Sequence, residues 1–288
     1  MIKLRWAIPE EKEKIQTYLF EKMGKIPKKR WANILDCRWN KTDEKYGVVV
    51  EEDGKLAGFL GIVFADRMFL GVPHRTGNIT SWFLEKHLRR GGLGQEMLTL
   101  ITEPAGVTYI AISANFRSGA LLQKISWQPL EDTRLYWNRS SDVPAAQIEI
   151  VSGTDALAGK LEEGAAKIVR DHAGLNLTPH LLSAGPKDNL FFITYTKRKG
   201  DNDTAHVEIL HSGSPDLLSK YIRDIANLLL PKENSVLSSD KRFLLPNVSY
   251  DASELLQVPR YFKAQDKPPV DQIDFLYGEV VLLDLKIY

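Results

Sequence analysis

A glycine-rich turn beside two arginines carries the strongest chemical signal in this sequence of 288 residues. The turn follows a strand-like run ending in Phe83 and Leu84, and it reads Arg89-Arg90-Gly91-Gly92-Leu93-Gly94-Gln95. Glycines let a backbone approach a bulky anion, and the first amides of a helix have no intrahelical partner and attract negative charge. The turn therefore predicts a pyrophosphate site at the start of a helix, with extra positive charge from the arginines.

A second segment, Asn115 to Trp127, also follows a buried-type strand and opens a helix. The two segments together resemble the motifs of the GNAT N-acetyltransferases. In that family Arg/Gln-x-x-Gly-x-Gly/Ala follows the fourth strand, and Asn-x-x-Ala-x-x-Leu-Tyr-x-Lys-x-Gly-Phe follows the fifth. The residues in register with the second motif are Asn115, Ser118, Leu121 and Lys124, with Trp127 in the aromatic place. The resemblance covers Ile2 to Asn138.

This resemblance implies a function and a set of binding residues. The co-substrate would be acetyl-coenzyme A or another acyl-coenzyme A, and the acyl group would pass to a small amine. By the same resemblance, the coenzyme-binding residues would be Phe83, Leu84, Arg89, Arg90, Gly91, Gly92, Leu93, Gly94, Gln95, Asn115 and Ser118.

Two of the departures from the family pattern matter for the chemistry. Leu122 stands where many members carry a tyrosine proposed to protonate the departing thiolate, and Ser126 replaces a glycine. Either another group protonates the sulfur, with Tyr109 and Tyr136 as candidates, or the thiolate leaves unassisted. The alternative is a coenzyme A binding protein of GNAT fold without turnover.

Attack by an amine on a thioester requires a proton acceptor and a fixed donor for the developing oxyanion. By resemblance the donor would be a backbone amide near Phe83 or Leu84. Glu85 and His87 lie beside these residues and are the candidate catalytic residues, although an acid at a strand end and a histidine in a polar turn are each usually solvated. Ser81-Trp82 and the late Leu276-Tyr277-x-Glu279 run faintly resemble GNAT proteins of bacterial surface-polysaccharide pathways, which would imply an amino-sugar acceptor.

The elements that must position these residues form an α/β (α+β) pattern. Ile2–Ala7 predicts a first strand, Pro9 opens a helix, and Asp53-Gly54 predicts a hairpin turn between Tyr46–Glu51 and Leu56–Phe69. Gly58 and Gly61 within the second of these strands indicate a bulge or a close backbone approach. The fold implied by the resemblance is a mixed central sheet of the GNAT type.

The second half repeats this pattern weakly. The polar stretch 140–144 predicts a linker, so we expect a coenzyme-binding domain at 1–140 and an acceptor-shaping α/β domain at 147–288. Its order of a helix, a hairpin across 200–203, the helix Pro215–Leu230 and a terminal strand Glu279–Ile287 is compatible with a degenerate GNAT-like copy.

Composition excludes several classes. With 38 basic and 37 acidic side chains, the chain has no overall field to attract nucleic acid. One cysteine excludes an intrachain disulfide, and the histidines lack metal-ligand spacing. The longest apolar run, Leu56–Ala65, is too short to span a membrane, and the start lacks a secretory signal. We therefore expect a cytoplasmic protein without a metal.

Overall fold

The computed structural model describes residues 1–40, 45–140, 148–199, 203–265 and 270–285. These residues pack as two compact units. The first contains Met1–Leu130, Arg260–Gln272 and Tyr277–Ile287, and the second contains Glu131–Pro259 and Ile273–Leu276. The domain limits 1–140 and 147–288 stay a prediction, and most of the proposed linker at 140–144 lies outside the described residues.

The first unit begins with a strand and two helices. Its elements in chain order are β1 (Ile2–Trp6), α1 (Lys12–Met23), α2 (Lys28–Leu35), β2 (Gly47–Glu52), β3 (Lys55–Phe69), β4 (Val72–Leu84), α3 (Leu93–Ile101), β5 (Val107–Ala111) and α4 (Phe116–Lys124). Pro9 opens a short 3-10 turn before α1, and Asp53-Gly54 joins β2 to β3, as predicted. The short helix α7 (Glu279–Leu282) also belongs to this unit.

The sheet of the first unit is mixed. Strands β1 to β4 pair antiparallel in chain order, whereas β4 and β5 pair parallel. Tyr261–Lys263, the end of β12 (Ala252–Lys263), then pair antiparallel with β5. The parallel pair requires a crossover, and α3 supplies it. The core side chains of α1 and α2 are the apolar ones at helical spacing, including Ile15, Leu19 and Trp31.

Both glycines within β3 have the roles that the sequence predicts. A Cβ atom on Gly58 would lie 2.7 Å from the Leu84 side chain, and one on Gly61 would lie 2.8 Å from the Thr80 side chain. The register between β3 and β4 also shifts between Phe59 and Gly61, which marks a β-bulge. A side chain at either position would force the Leu84 or Thr80 side chain to move.

The second unit shows the same sequence of pairings as the first. Its elements are β6 (Gln128–Trp137), β7 (Ile148–Ser152), α5 (Glu163–Asp171), β8 (Thr178–Ala184), β9 (Asp188–Lys199), β10 (Thr204–Ser212), α6 (Pro215–Leu229) and β11 (Ser235–Asp240). Strands β7 to β10 pair antiparallel, β10 and β11 pair parallel, and β6 pairs antiparallel with β11. The C-terminal half therefore has a GNAT-like arrangement as well.

The sequence interpretation was wrong at the end of the chain. Glu279–Ile287 is predicted as a strand, but residues 279–282 form the helix α7. A short, continuously apolar run does not distinguish a buried helix from a buried strand, and Glu279 to Leu282 are all buried. Strands β7, β8, β11 and β12 were not predicted from the sequence. The predicted hairpin turn at 200–203 lies mostly outside the described residues.

Candidate active site

The site begins where β4 and β5 separate. The parallel pairing between them ends at Asn78 and Ile110, so the last residues of β4 have no ladder partner on that side. On the other side, Thr80 pairs with Gly61 and Phe83 pairs with Phe59, which leaves Ser81 and Trp82 opposite Leu60 alone. Ser81 has a φ of 52°, in the left-handed region. The bulge therefore turns the β4 backbone at the opening between the strands.

Two neighbouring cavities line this opening. The inner cavity has a volume of about 170 Å³, and its walls come from β4, the loop after β5, α4 and the segment around α7. The outer cavity has a volume of about 410 Å³ and lies towards α3 and α4. Both are lined by Met23, Trp82, Asn115 and Ser118. They form the two ends of one cleft over the separated strands.

The glycine turn begins α3 in the way that anion binding requires. Gly92 is the N-cap of α3, with a φ of 84°, and its carbonyl accepts the first helical hydrogen bonds, from the amides of Gln95 and Glu96. The amides of Leu93 and Gly94 come before the first residues that donate hydrogen bonds within the helix. A Cβ atom on Gly91 or Gly92 would meet open space, so the turn is accessible to a bulky ligand.

Two arginines line the outer cavity. Arg89 donates a hydrogen bond from Nε to the carbonyl of Leu84 at 2.7 Å, and its guanidinium lies 5.5 Å from the ring centre of Phe83. Arg117, on α4, lines the same cavity, and the sequence analysis did not single it out. Its position next to Ser118 in the second motif was the available signal. These cations and the α3 amides suit a pyrophosphate group.

Asn115 and Ser118 form a capping box at the start of α4. Oδ1 of Asn115 accepts hydrogen bonds from the amides of Arg117 and Ser118, at 2.9 and 3.1 Å. The Ser118 hydroxyl accepts one from the Asn115 amide at 2.9 Å. The structure thus gives both side chains a helix-capping role, and both also line the cleft.

The coenzyme residues inferred from the sequence divide into two groups in the structure. Those that line the outer cavity are Phe83, Leu84, Arg89, Gly94, Asn115 and Ser118. The others form the turn before α3 or its first residues, and they do not line that cavity. They are Arg90, Gly91, Gly92, Leu93 and Gln95.

Neither candidate base from the sequence lines the described cavities. Glu85 forms an ion pair with Lys22 at 2.7 Å, and His87 contacts Glu52 at 2.8 Å with 60% of its side chain exposed. The structure does not bring them together with the cleft residues, and their catalytic roles stay predictions.

A buried carboxyl that the sequence analysis did not propose as a base lines the inner cavity. Glu279, at the start of α7, has 4% of its surface exposed and accepts a hydrogen bond from the hydroxyl of Ser113. Burial raises the pKa of Glu279, while hydrogen bonds from Ser113, Thr80 and the Ser81 amide oppose that rise. Glu279 was included in the sequence analysis only in the faintly resembling run Leu276-Tyr277-x-Glu279 and was given no catalytic role, because it lies far along the chain from the two motifs.

The two tyrosines considered as replacements for the family's acid form hydrogen bonds elsewhere. Tyr109 is buried and donates to the carbonyl of Pro104 at 2.7 Å. Tyr136 belongs to the second unit, where burial and the Glu254 carboxylate that its hydroxyl contacts raise its pKa to about 12. Leu122 itself is buried and lines the inner cavity.

Residues 10–125 match the model of the acetyltransferase (GNAT) family. The matched region runs from the turn before α1 to the end of α4. This family and fold support acyl-coenzyme A dependent N-acyltransferase activity in general terms. A search of the curated proteins found no match.

Solved structures share this fold over most of the chain. A GCN5-related N-acetyltransferase from Anabaena variabilis is 14% identical, with a TM-score of 0.56, over 91% of this chain and 72% of that one. A probable N-acyltransferase from Enterococcus faecalis is 13% identical, with a TM-score of 0.57, over 92% and 73%. A putative acetyltransferase from Pyrococcus horikoshii is 14% identical, with a TM-score of 0.51, over 98% and 95%. At these identities the likeness concerns the fold.

Two searches of the described residues gave negative results. No cluster of three or more His, Cys, Asp or Glu side chains in the described ranges is placed to hold a metal ion. Within the same part of the chain, no helix has the length and apolar composition needed to cross a membrane. The amino-sugar acceptor finds no support in the comparisons and stays a prediction.

Proposed function

We propose that this protein transfers an acyl group from acyl-coenzyme A to an amine, with the coenzyme in the outer cavity and the amine in the inner one. The observation that carries the proposal is the placement of the glycine turn beside the separation of β4 from β5. Gly94 of this turn lines the outer cavity, so a pyrophosphate bound there would lie at one end of the cleft, with the inner cavity at the other.

The chemistry follows from what each part of the cleft can offer. The α3 amides, Arg89 and Arg117 would hold the pyrophosphate, because charged hydrogen bonds to phosphate oxygens are strong and directional. The β4 backbone beyond the bulge, around Phe83 and Leu84, would donate to the oxygen of the thioester as it gains charge. Holding thioester and amine in one cleft supplies much of the rate by proximity.

A melting experiment tests the coenzyme site. Acetyl-coenzyme A at 100 times its dissociation constant should stabilise the protein by about 2.7 kcal/mol, which raises the melting temperature by several degrees. Gly92→Asp should abolish this shift, because the new carboxylate repels the pyrophosphate at the N-terminus of α3. No shift with the wild-type protein at millimolar ligand would contradict the proposal.

The chain offers a matched control for that variant. Gly71 has a φ of 81°, close to the 84° of Gly92, and a Cβ atom there also meets open space. Gly71→Asp therefore carries a similar backbone strain in the turn between β3 and β4, and it should retain the full melting shift. Equal loss in both variants would show that strain, rather than the phosphate turn, causes the effect.

The second candidate function is coenzyme binding without turnover. Leu122 favours it, because a leucine cannot protonate the departing thiolate. Release of free thiol from acetyl-coenzyme A on addition of an amine separates the two functions. Continuous release shows transfer, whereas binding without release by any amine shows a coenzyme-binding protein.

A further inference from the structure

The inner cavity combines large apolar side chains and one buried carboxyl with the uncharged polar side chains of Thr80, Ser81, Ser113, Asn115 and Ser118. Its large apolar lining residues are Trp31, Ile79, Trp82, Leu122, Leu283 and Leu285. Among the described lining residues, Glu279 is the ionisable one. Such a pocket favours a ligand with an apolar body and a single positive charge, because burying apolar surface stabilises the complex and the carboxylate attracts a cation.

The carboxyl of Glu279 is held in place from both separated strands. Thr80 and the amide of Ser81 contact it from β4, and Ser113 contacts it from the loop after β5. The amide of Glu279 itself donates to Oδ1 of Asn78 at 3.4 Å. Glu279 therefore lies between the separated ends of β4 and β5, beside the bulge at Ser81.

The arginine on the neighbouring helix α2 is already paired. On α2, Arg30 forms an ion pair with Asp284 at 2.9 Å and donates to the carbonyl of Leu283 at 3.4 Å. The groups that face the Glu279 carboxyl from β4 and from the loop after β5 are hydroxyls and amides. Since a hydroxyl can donate or accept, Ser113 can change roles when Glu279 gains a proton.

We propose that the acceptor is a primary amine with an apolar body and no anionic group, docked as its ammonium on Glu279, which accepts its proton. This inference rests on the acyl-transfer function proposed above. The amine substrate is thereby narrowed to arylalkyl or alkyl amines. The residue that takes its proton is Glu279, from the C-terminal segment, rather than Glu85 or His87.

The proton and electron balance is complete without any further reactant. The ammonium gives one proton to Glu279, and the nitrogen lone pair then forms a bond to the thioester carbon while the carbonyl π electrons move to oxygen. When those electrons return, the carbon–sulfur bond breaks and coenzyme A leaves as a thiolate. The nitrogen loses a second proton, the thiolate takes up one, and Glu279 releases its proton to solvent.

Three amines test the acceptor class with acetyl-coenzyme A as donor. Phenethylamine has the predicted body and charge, phenylalanine adds a carboxylate to the same body, and glucosamine keeps the ammonium on a polar body. Phenethylamine should give the highest kcat/KM in thiol release, at least about 100-fold above phenylalanine, because a second carboxylate beside Glu279 is repelled. Preference for phenylalanine or glucosamine overturns the proposal.

A variant tests the role of Glu279. Glu279→Gln should lower kcat for phenethylamine about 100-fold, the usual range for loss of a general base. For the wild-type protein, kcat/KM should rise with pH through a pKa above the usual glutamate range, and the variant should lose this limb. Glu13→Gln, a change at an exposed position of α1, should keep both the rate and the limb.

Failure of this proposal can be told apart from failure of the proposed function. If acetyl-coenzyme A raises the melting temperature of both wild type and Glu279→Gln but phenethylamine releases no thiol, the acceptor class is wrong and the coenzyme site stands. If Glu279→Gln keeps the pH limb, Glu279 is not the proton acceptor. If acetyl-coenzyme A gives no shift with the wild type, the proposed function fails first.

Discussion

At the scale of the residue, the bulge of β4 depends on an uncommon backbone conformation. Ser81 is buried, has a φ of 52°, and its hydroxyl lies 3.0 Å from that of Thr80. Left-handed φ values are disfavoured for residues with a Cβ atom, and such strain often lies at functional sites. Here the strained residue presents its amide to Glu279.

Two substitutions isolate this strain. Ser81→Gly and Ser81→Ala both remove the hydroxyl, but only alanine keeps the Cβ atom. We expect Ser81→Gly to be more stable than Ser81→Ala by about 1 kcal/mol, measured by urea denaturation. The order is informative because alanine usually stabilises relative to glycine, so a more stable Ser81→Ala would contradict a left-handed backbone at this position.

At the scale of the element, His180 on β8 links three strands. Its Nδ1 lies 2.7 Å from the Ser152 hydroxyl on β7, and its Nε2 lies 2.8 Å from the Thr194 hydroxyl on β9. The ring also stacks on Phe192, with ring centres 4.7 Å apart. Burial lowers the pKa of His180 to about 4, so the folded protein keeps this ring neutral in mild acid.

The lowered pKa of His180 predicts loss of stability in acid. The unfolded chain binds a proton here below about pH 6.5, whereas the folded protein does so only near pH 4, so this contribution is present above pH 6.5 and is lost as the pH falls towards 4. Between pH 7 and pH 4.5, the wild type should lose about 2 kcal/mol more unfolding free energy than His180→Gln. Parallel losses in denaturant titrations would show that another group causes the acid sensitivity.

The elements also show what the sequence alone could predict. The hairpin at Asp53-Gly54, the glycines of β3 and the helix after Asn115 depend on local backbone chemistry, and all three were confirmed. The helix α7 depends on burial in the first unit, which no local pattern encodes. The two motifs are local patterns, so the cleft beside them could be expected from the sequence. The carboxyl of Glu279 lies on α7, so its place in the cleft could not.

At the scale of the whole molecule, the two units share a pairing order but differ at one turn. In the first, Gly92 precedes α3 and leaves its first amides accessible. In the second, Pro215 opens α6 without an amide hydrogen, and the Ser214 hydroxyl accepts a hydrogen bond from the Leu217 amide at 3.2 Å. The corresponding helix therefore has its own cap and lacks the glycine turn.

This difference predicts the number of coenzyme sites. Titration calorimetry with coenzyme A should give one site per chain, since the α6 turn offers fewer amides and no glycine-rich loop. The same measurement on Gly92→Asp should give none. Two sites in the wild type, or one remaining in the variant, would show that the second unit binds the coenzyme as well.

The ribosome makes the residues that line the inner cavity at different times, so this cavity is completed later than the glycine turn. The glycine turn, β4 and β5 emerge from the ribosome well before Glu279, Leu283 and Leu285. A nascent chain can thus contain the complete glycine turn while the inner cavity still lacks one wall. On the assignment proposed above, prematurely terminated chains would bind coenzyme without consuming it, so the supply of acyl groups is protected from unfinished copies.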